Sequence, residues 1–339
     1  MPFRSLDEDP GFAVPADPLA RFDELLTALD MGRGWMQDKV AIRLAAITLL
    51  VTPGDAKKIA ASTRTACAVL GERLGWFSGV DESVRMVIAA QLVKAGDHPD
   101  AFVDDLERAR HLFRADGLRR GGVYEVLAVL VLRRLFGAIE PPIVERFHEI
   151  YDAMKAHHWW LTGPEDFPAC AMLVGRPEEP AAIGDGTDAI YRGLQARAGL
   201  SGGDPLQTAA NILFLGGVEP PMIVERFSGL VEAFRAGGAK IGTAEYDEVA
   251  ILSFLPQPGA TIVASVLELR DGLRARLRWL GERDALSLGA SLAFIRLVGD
   301  RGELGTLADA KLLLDMQTIV TARQAATIAA VSAATAAST

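Results

Sequence analysis

A bulky apolar residue followed by a short polar or glycine-containing step returns along this chain about every 40 residues. It stands at Met36, Phe77, Leu118, Leu161, Leu200, Ile241 and Leu280. One pair of helices with its two turns uses about 40 residues, so this period predicts stacked helix pairs. A single pair cannot bury its apolar face alone, and its neighbours must complete the core.

The segments between the anchors carry helical periodicity. Phe22, Leu25, Leu26 and Leu29 fall at i, i+3, i+4 and i+7, the spacing of one helix face. The second helix of each unit is more evenly apolar, as in Val84–Val93, Val123–Leu132 and Leu286–Leu297. A helix apolar nearly all round belongs between layers. Strands are not expected, because strict alternation is absent and Ala, Leu and Met outnumber β-branched residues. Breakers arrive on schedule at Pro53, Pro99, Pro141, Pro177 to Pro180, Pro220 and Pro256 to Pro258.

The clearest internal copy lies at two breakers. Gly137-Ala138-Ile139-Glu140-Pro141-Pro142 leads into Ile143-Val144-Glu145-Arg146-Phe147, and Gly216-Gly217-Val218-Glu219-Pro220-Pro221 leads into Ile223-Val224-Glu225-Arg226-Phe227. The last five residues are identical, and Met222 is inserted before the second copy. Glycine closes one helix, and the prolines suit only the first turn of the next. The expected fold is therefore all-α, with tandem helix-pair repeats forming an α-solenoid or a right-handed αα superhelix. Residues 1–18 read as a flexible lead, and 19–300 as a repeat domain of about seven helix pairs. The Pro/Gly/acid stretch Arg176–Gly186 is the best place for a subdivision, and 301–339 read as a C-terminal helix around Leu307–Val320 with an Ala-rich tail.

Half of the 339 residues are hydrophobic and 23% are charged, enough for a large buried core. The net charge is −9 and no long Lys/Arg block occurs, which argues against a nucleic-acid partner. The densest basic stretch, Arg270 to Arg283, alternates with leucines and reads as a solvated helix face. Cys67 and Cys170 sit in apolar helical pattern and read as buried free thiols. No apolar window approaches the roughly 18 residues of a membrane span, and no secretion signal is visible, so a cytoplasmic location is the default expectation.

Few residues suggest chemistry. Carboxylates recur just after the anchors, at Asp81, Glu125, Asp166, Asp204, Glu245 and Glu282, where they would cap helix N-termini. The most unusual stretch is His157-His158-Trp159-Trp160 followed by Glu165-Asp166. Tryptophan faces beside imidazole and carboxylate could hold a ligand, although Trp35, Trp76, Trp159 and Trp279 share one repeat position, which favours packing at the turn. Adjacent histidines suit chelation poorly, so no metal is expected there. Gln207 and Asn211 lie four apart on an otherwise apolar helix and share a face; they either bond to neighbouring backbone or line a concave groove. The glycines of Gly184-Asp185-Gly186-Thr187-Asp188 follow a Pro-rich loop, not a strand, so no dinucleotide is expected. No Walker loop, G-x-S-x-G or H-E-x-x-H is present, and neither a cofactor nor a catalytic residue is assigned.

Leu161-Thr162-Gly163, Glu165-Asp166-Phe167-Pro168, Ile190-Tyr191, Leu194, Leu206-Gln207, Asn211-Ile212-Leu213, Lys240-Ile241 and Tyr246 together resemble a bacterial family. It is the domain-of-unknown-function family numbered four thousand and three. The resemblance implies an all-helical protein and no assigned activity. A scaffold for an unidentified protein or peptide is the leading functional expectation, with an exposed stripe through Gln207 and Asn211 as its contact surface. The alternative is a small-molecule binding protein or enzyme with a pocket in the central repeats, carried by His157, His158, Trp159, Trp160 and Asp166. Apolar faces at the two ends of a stack would also permit a homo-oligomer.

Overall fold

A computed structural model describes residues 14–31, 38–75, 79–157, 163–197, 199–278 and 280–298. These residues form fourteen α-helices and no strand. In chain order they are α1 (Pro18–Asp30), α2 (Lys39–Thr48), α3 (Ala56–Leu74), α4 (Glu82–Ala95), α5 (Pro99–Ala115), α6 (Val123–Phe136) and α7 (Pro141–His157). There follow α8 (Phe167–Leu173), α9 (Pro180–Gln195), α10 (Asp204–Leu215), α11 (Pro220–Ala236), α12 (Tyr246–Leu252), α13 (Gly259–Arg276) and α14 (Glu282–Val298). Residues 1–13 of the lead, the tail and all five tryptophans lie outside the described residues, and the end of the lead is helical, with Asp17 capping α1.

Of the carboxylates expected to cap helix starts Asp81 does so, whereas no side-chain cap bond forms at the starts of α6, α8, α10 and α12. Asp81 accepts from the Ser83 and Val84 N–H groups at the start of α4. Asp38 and Asp55 do the same for α2 and α3. Prolines occupy the first positions of α5, α9 and α11, where a missing N–H costs nothing. The stretch Arg176–Gly186 is the connection from α8 to α9 plus the first turns of α9. Its glycines sit inside α9, and a Cβ at Gly184 would meet the Ala153 carbonyl oxygen of α7 at 3.0 Å. Gly186 lies in the same way beneath the Phe214 ring of α10. These glycines let three helices approach closely, a role that the surrounding turn-like composition hid.

Packing alternates along the chain. Even-numbered helices touch even ones, as in α2 with α4, α6 with α8, α8 with α10, α10 with α12 and α12 with α14. Odd-numbered helices touch odd ones from α1 to α13. The even helices are the evenly apolar ones, and Val123 to Leu132 of α6 are all buried. One continuous core runs from Leu19 to Val298. The chain's two ends also meet: α14 packs on α1 and α2, and α13 packs on α1. Asp23 and Arg276 form an ion pair there at 2.8 Å, and Leu19 lies against Gly272.

The duplicated motif has a physical function. Arg146 donates to the carbonyls of Val174, Arg176 and Glu178 at the end of α8, at 3.2, 2.7 and 2.6 Å. Arg226 donates to those of Ser253 and Gln257 at the end of α12, at 2.5 and 3.2 Å. Arg21, also followed by phenylalanine, donates to Thr52 and Gly54 after α2, at 3.0 and 2.9 Å. The last carbonyls of a helix have no partner within it and carry negative partial charge. A guanidinium fork satisfies two at once. The adjacent Phe22, Phe147 and Phe227 are fully buried. Each Arg-Phe pair thus anchors an odd helix in the core while closing the end of the next even one.

Replacing Arg226 with Met should therefore lower stability by about 2 kcal/mol, the scale of hydrogen bonds to a charged group. Lysine should not restore it, because an ammonium lacks the fork geometry. Urea denaturation followed by circular dichroism measures both, and an unchanged midpoint for Arg226→Met would remove the role assigned to this motif.

Candidate functional site

The polar side chains buried in the centre of the chain gather where α7, α8, α9 and α10 meet. A small cleft, with room for about one water molecule, is lined by Met154, Thr187, Tyr191, Gln207 and Asn211. Gln207 and Asn211 are only 4% and 2% exposed. The exposed stripe expected of them is therefore absent, because α8, α9 and α12 pack around α10. Of the two readings of this pair, the groove one survives only in an enclosed form.

Most polar groups around the cleft are engaged. The Thr187 hydroxyl donates to the Gly184 carbonyl at 3.0 Å. The Tyr191 hydroxyl accepts from Gly203 N–H at 3.2 Å, and the Tyr246 hydroxyl accepts from Ser201 N–H at 2.8 Å. Two tyrosines thus hold the turn that launches α10, which is why Tyr191 and Tyr246 stand where they do. Asn211 differs. Its Nδ2 is fully buried and has no hydrogen-bond partner among the described residues. An unpaired buried amide costs about 1–3 kcal/mol, and native interiors rarely leave one without a use. The other comparable cleft, beside Asp38, Glu82 and Ser83, lies between helix starts, where Asp38 caps α2.

Asp166 stands nearby at the start of α8, 5% exposed. Its Oδ2 accepts from Gly163 N–H at 3.0 Å. Phe167, the next residue, is held edge-on by Phe147 and Tyr151, each at 5.3 Å between ring centres. This aromatic contact fixes the turn that carries the carboxyl. Two other anchors use the same device. Glu125 accepts from Gly121 N–H at 3.2 Å and is paired with Arg110 and Arg114. Glu245 accepts from Gly242 N–H at 2.8 Å, with Arg283 at 3.7 Å.

No lysine or arginine among the described residues pairs with Asp166. Burial pushes its carboxyl up to about 7, with Glu165 and Asp204 adding to the rise and the Gly163 bond opposing it. Burial also raises the Tyr151 hydroxyl to about 12, helped by Cys170 and Asp166, and holds Cys170 well above the ordinary thiol range. Cys170 is a free, buried thiol whose Sγ lies 3.4 Å from Met154 Sδ. Met154 therefore joins the cleft to the surroundings of Asp166.

His157 turns elsewhere. Its Nε2 lies 3.0 Å from Asp185 Oδ1 and its Nδ1 3.7 Å from Asp188 Oδ2 on α9. His158, Trp159 and Trp160 lie outside the described residues. The structure thus brings Gln207 and Asn211 to one cleft and places Asp166 beside it. Sequence reasoning missed Thr187 and Met154. Thr187 sat among glycines and acids that carried no assigned role, and Met154 gave no polar signal.

A family model described as "Protein of unknown function (DUF4003)" matches residues 69–325, so the chain belongs to that family. A Bacillus subtilis (strain 168) relative, the uncharacterized protein YeaA, is 26% identical over 190 residues. That alignment covers 56% of this chain and 55% of YeaA, so the chain spans about half the length of this curated relative. No solved structure matches the chain.

Asp166 supplies a pH signature. Its folded pKa lies above the unfolded value, so the folded state holds a proton that the unfolded state releases between about pH 4 and 7. Its contribution is present below the unfolded pKa and is lost as the pH rises through about 7. Asp166→Asn keeps an oxygen for Gly163 and removes this loss. The variant should gain on the parent as the pH rises, by on the order of 4 kcal/mol at pH 8. Urea midpoints measured from pH 4 to 8 test this, and a constant difference across that range would contradict it.

Proposed function

We propose that this DUF4003 protein binds a small polar molecule in the cleft between α7, α9 and α10. The observation that carries the reading is the buried Asn211 amide, which offers a hydrogen-bond donor to the cleft and has no described protein partner. Binding sites of this kind are concave and mostly apolar, with a few polar groups that fix orientation. Met154 supplies an apolar wall, while Thr187, Tyr191 and Gln207 add polar edges. Binding rather than catalysis is the reading, because among the described lining residues no nucleophile and base stand together.

The repeat architecture supports it too. The packing of α14 on α1 and α2 supports reading the tandem pairs as a closed circle of seven pairs, not an open superhelix. In a circle, the stack ends that motivated a homo-oligomer cover each other. The central helices α8 and α10 are then fixed from both directions, which suits a preformed site.

A scaffold for a protein or peptide is the second reading. It is favoured by Met222, 66% exposed, and Val218, 38% exposed, around the second Pro-Pro breaker. The one residue inserted in the second motif copy is thus an exposed apolar side chain, a place for a partner.

Native mass spectrometry of the protein purified gently from its own cells separates the two. A stoichiometric small adduct in the parent, absent from Asn211→Leu, is the expected result. A bare protein mass in both would count against the cleft, and a protein-sized adduct lost in Met222→Glu would favour the scaffold.

A further inference from the structure

Apolar side chains stay partly uncovered where α10, α12 and α14 end. The last turn of α14 lies beside the loop after α12, where Gln257 Nε2 donates to the Leu297 carbonyl at 2.9 Å. Phe254 of that loop is half-buried. Its ring lies against the end of α10, so close that a Cβ at Gly216 would overlap it. From Gly216 the chain turns through Val218 and Met222, 38% and 66% exposed, into α11. Phe214 and Leu297 are half-buried as well. Phe214, Val218, Met222, Phe254 and Leu297 thus follow one another along a rim from α10 to α14. A run of this kind marks a contact surface more than single exposed residues do.

The segment that follows α14 has the pattern to cover it. Leu312, Leu313, Met316, Ile319 and Val320 fall at i, i+1, i+4, i+7 and i+8, the stripe of an amphipathic helix. Lys311, Gln317 and Thr318 fall on the other side. The family match runs on to residue 325, so the stripe belongs to the region the family shares and α14 is not the end of that region. The stripe can also reach the rim. With α12 between them, α14 and α10 are two helix spacings apart, about 20 Å. Residues 299–306 span up to about 26 Å when extended. We infer that residues 307–320 form a helix whose apolar stripe docks on this rim, as amphipathic helices do on apolar surfaces. The surface at Val218 and Met222 is then occupied by the chain's own tail, and another protein reaches it only by displacing that tail.

Hydrogen exchange of the full chain, read by mass spectrometry, tests the docking. Amides 312–320 should exchange at least about tenfold more slowly than an unstructured chain, at every protein concentration. Val218→Glu combined with Met222→Glu, at exposed positions, should remove most of that protection and leave α10 and α12 unchanged. Reciprocally, Leu313→Glu combined with Met316→Glu should speed peroxide oxidation of Met222 at least about threefold, because oxidation follows exposure.

Tail amides that exchange at the unstructured rate in the parent would overturn the inference, as would protection that survives both substitutions on the rim. Protection that fades on dilution would assign the rim to a second copy of the chain. Oxidation of Met222 at one rate with and without the tail substitutions would leave the rim open to a different protein. Either of these results also overturns it.

Discussion

The structure depends on closing the ends of its even-numbered helices. Those helices are apolar nearly all round, so their terminal carbonyls lie against protein and must find donors there. Arginines from odd helices, about 30 residues earlier in the chain, donate to the C-cap carbonyls of α8 and α12 and to carbonyls of the turns that follow α2, α8 and α12, through Arg21, Arg146 and Arg226. Arg176 does so for α10 through the Leu215 carbonyl at 3.1 Å, and the Gln257 side-chain amide does so for α14 through Leu297 at 2.9 Å. Four of these ties are arginine forks and one is a neutral amide, and they add to the apolar contacts between helices. The buried phenylalanine beside three of these arginines sets the depth at which the fork works.

At the opposite helix ends the problem is reversed, since free N–H groups need acceptors. Carboxylates meet it, and Glu125, Asp166 and Glu245 each reach back to a glycine in the anchor turn. These groups sit deep enough to need charge compensation as well. Glu125 has two arginines and Glu245 has one, whereas Asp166 shares its surroundings with other acids. Asp166 thus makes the same bond to an anchor-turn glycine as Glu125 and Glu245 but without their arginines.

Much of the helix architecture was legible in the sequence. Anchor spacing, Pro-Pro breakers and the apolar stripes at Phe22, Phe147 and Phe227 are local signals, and local signals fix helix type and order. Asp81 was readable as a cap for the same reason. The arginine forks were not, because Arg146 meets Arg176 and Glu178 only after the units stack. Nor was the meeting of α1 with α13 and α14, since Asp23 and Arg276 are separated by nearly the whole repeat region. The site was half legible. Gln207 and Asn211 stood out as amides on an apolar helix, but their burial follows from the helices packed around α10. Asp166 looked like its equivalents, and what sets it apart is a cation that no described neighbour provides.

Direct titration of the Asp166 carboxyl reaches the centre of this account. Carboxyl carbon resonances assigned by comparison with Asp166→Asn, and followed by NMR from pH 3 to 9, give its midpoint in the folded protein. The account predicts a midpoint near 7, with the fold intact on both sides of it. A midpoint in the ordinary aspartate range, about 4, would mean that the carboxyl is already compensated or hydrated, and the case for an unpaired charge beside the cleft would fail.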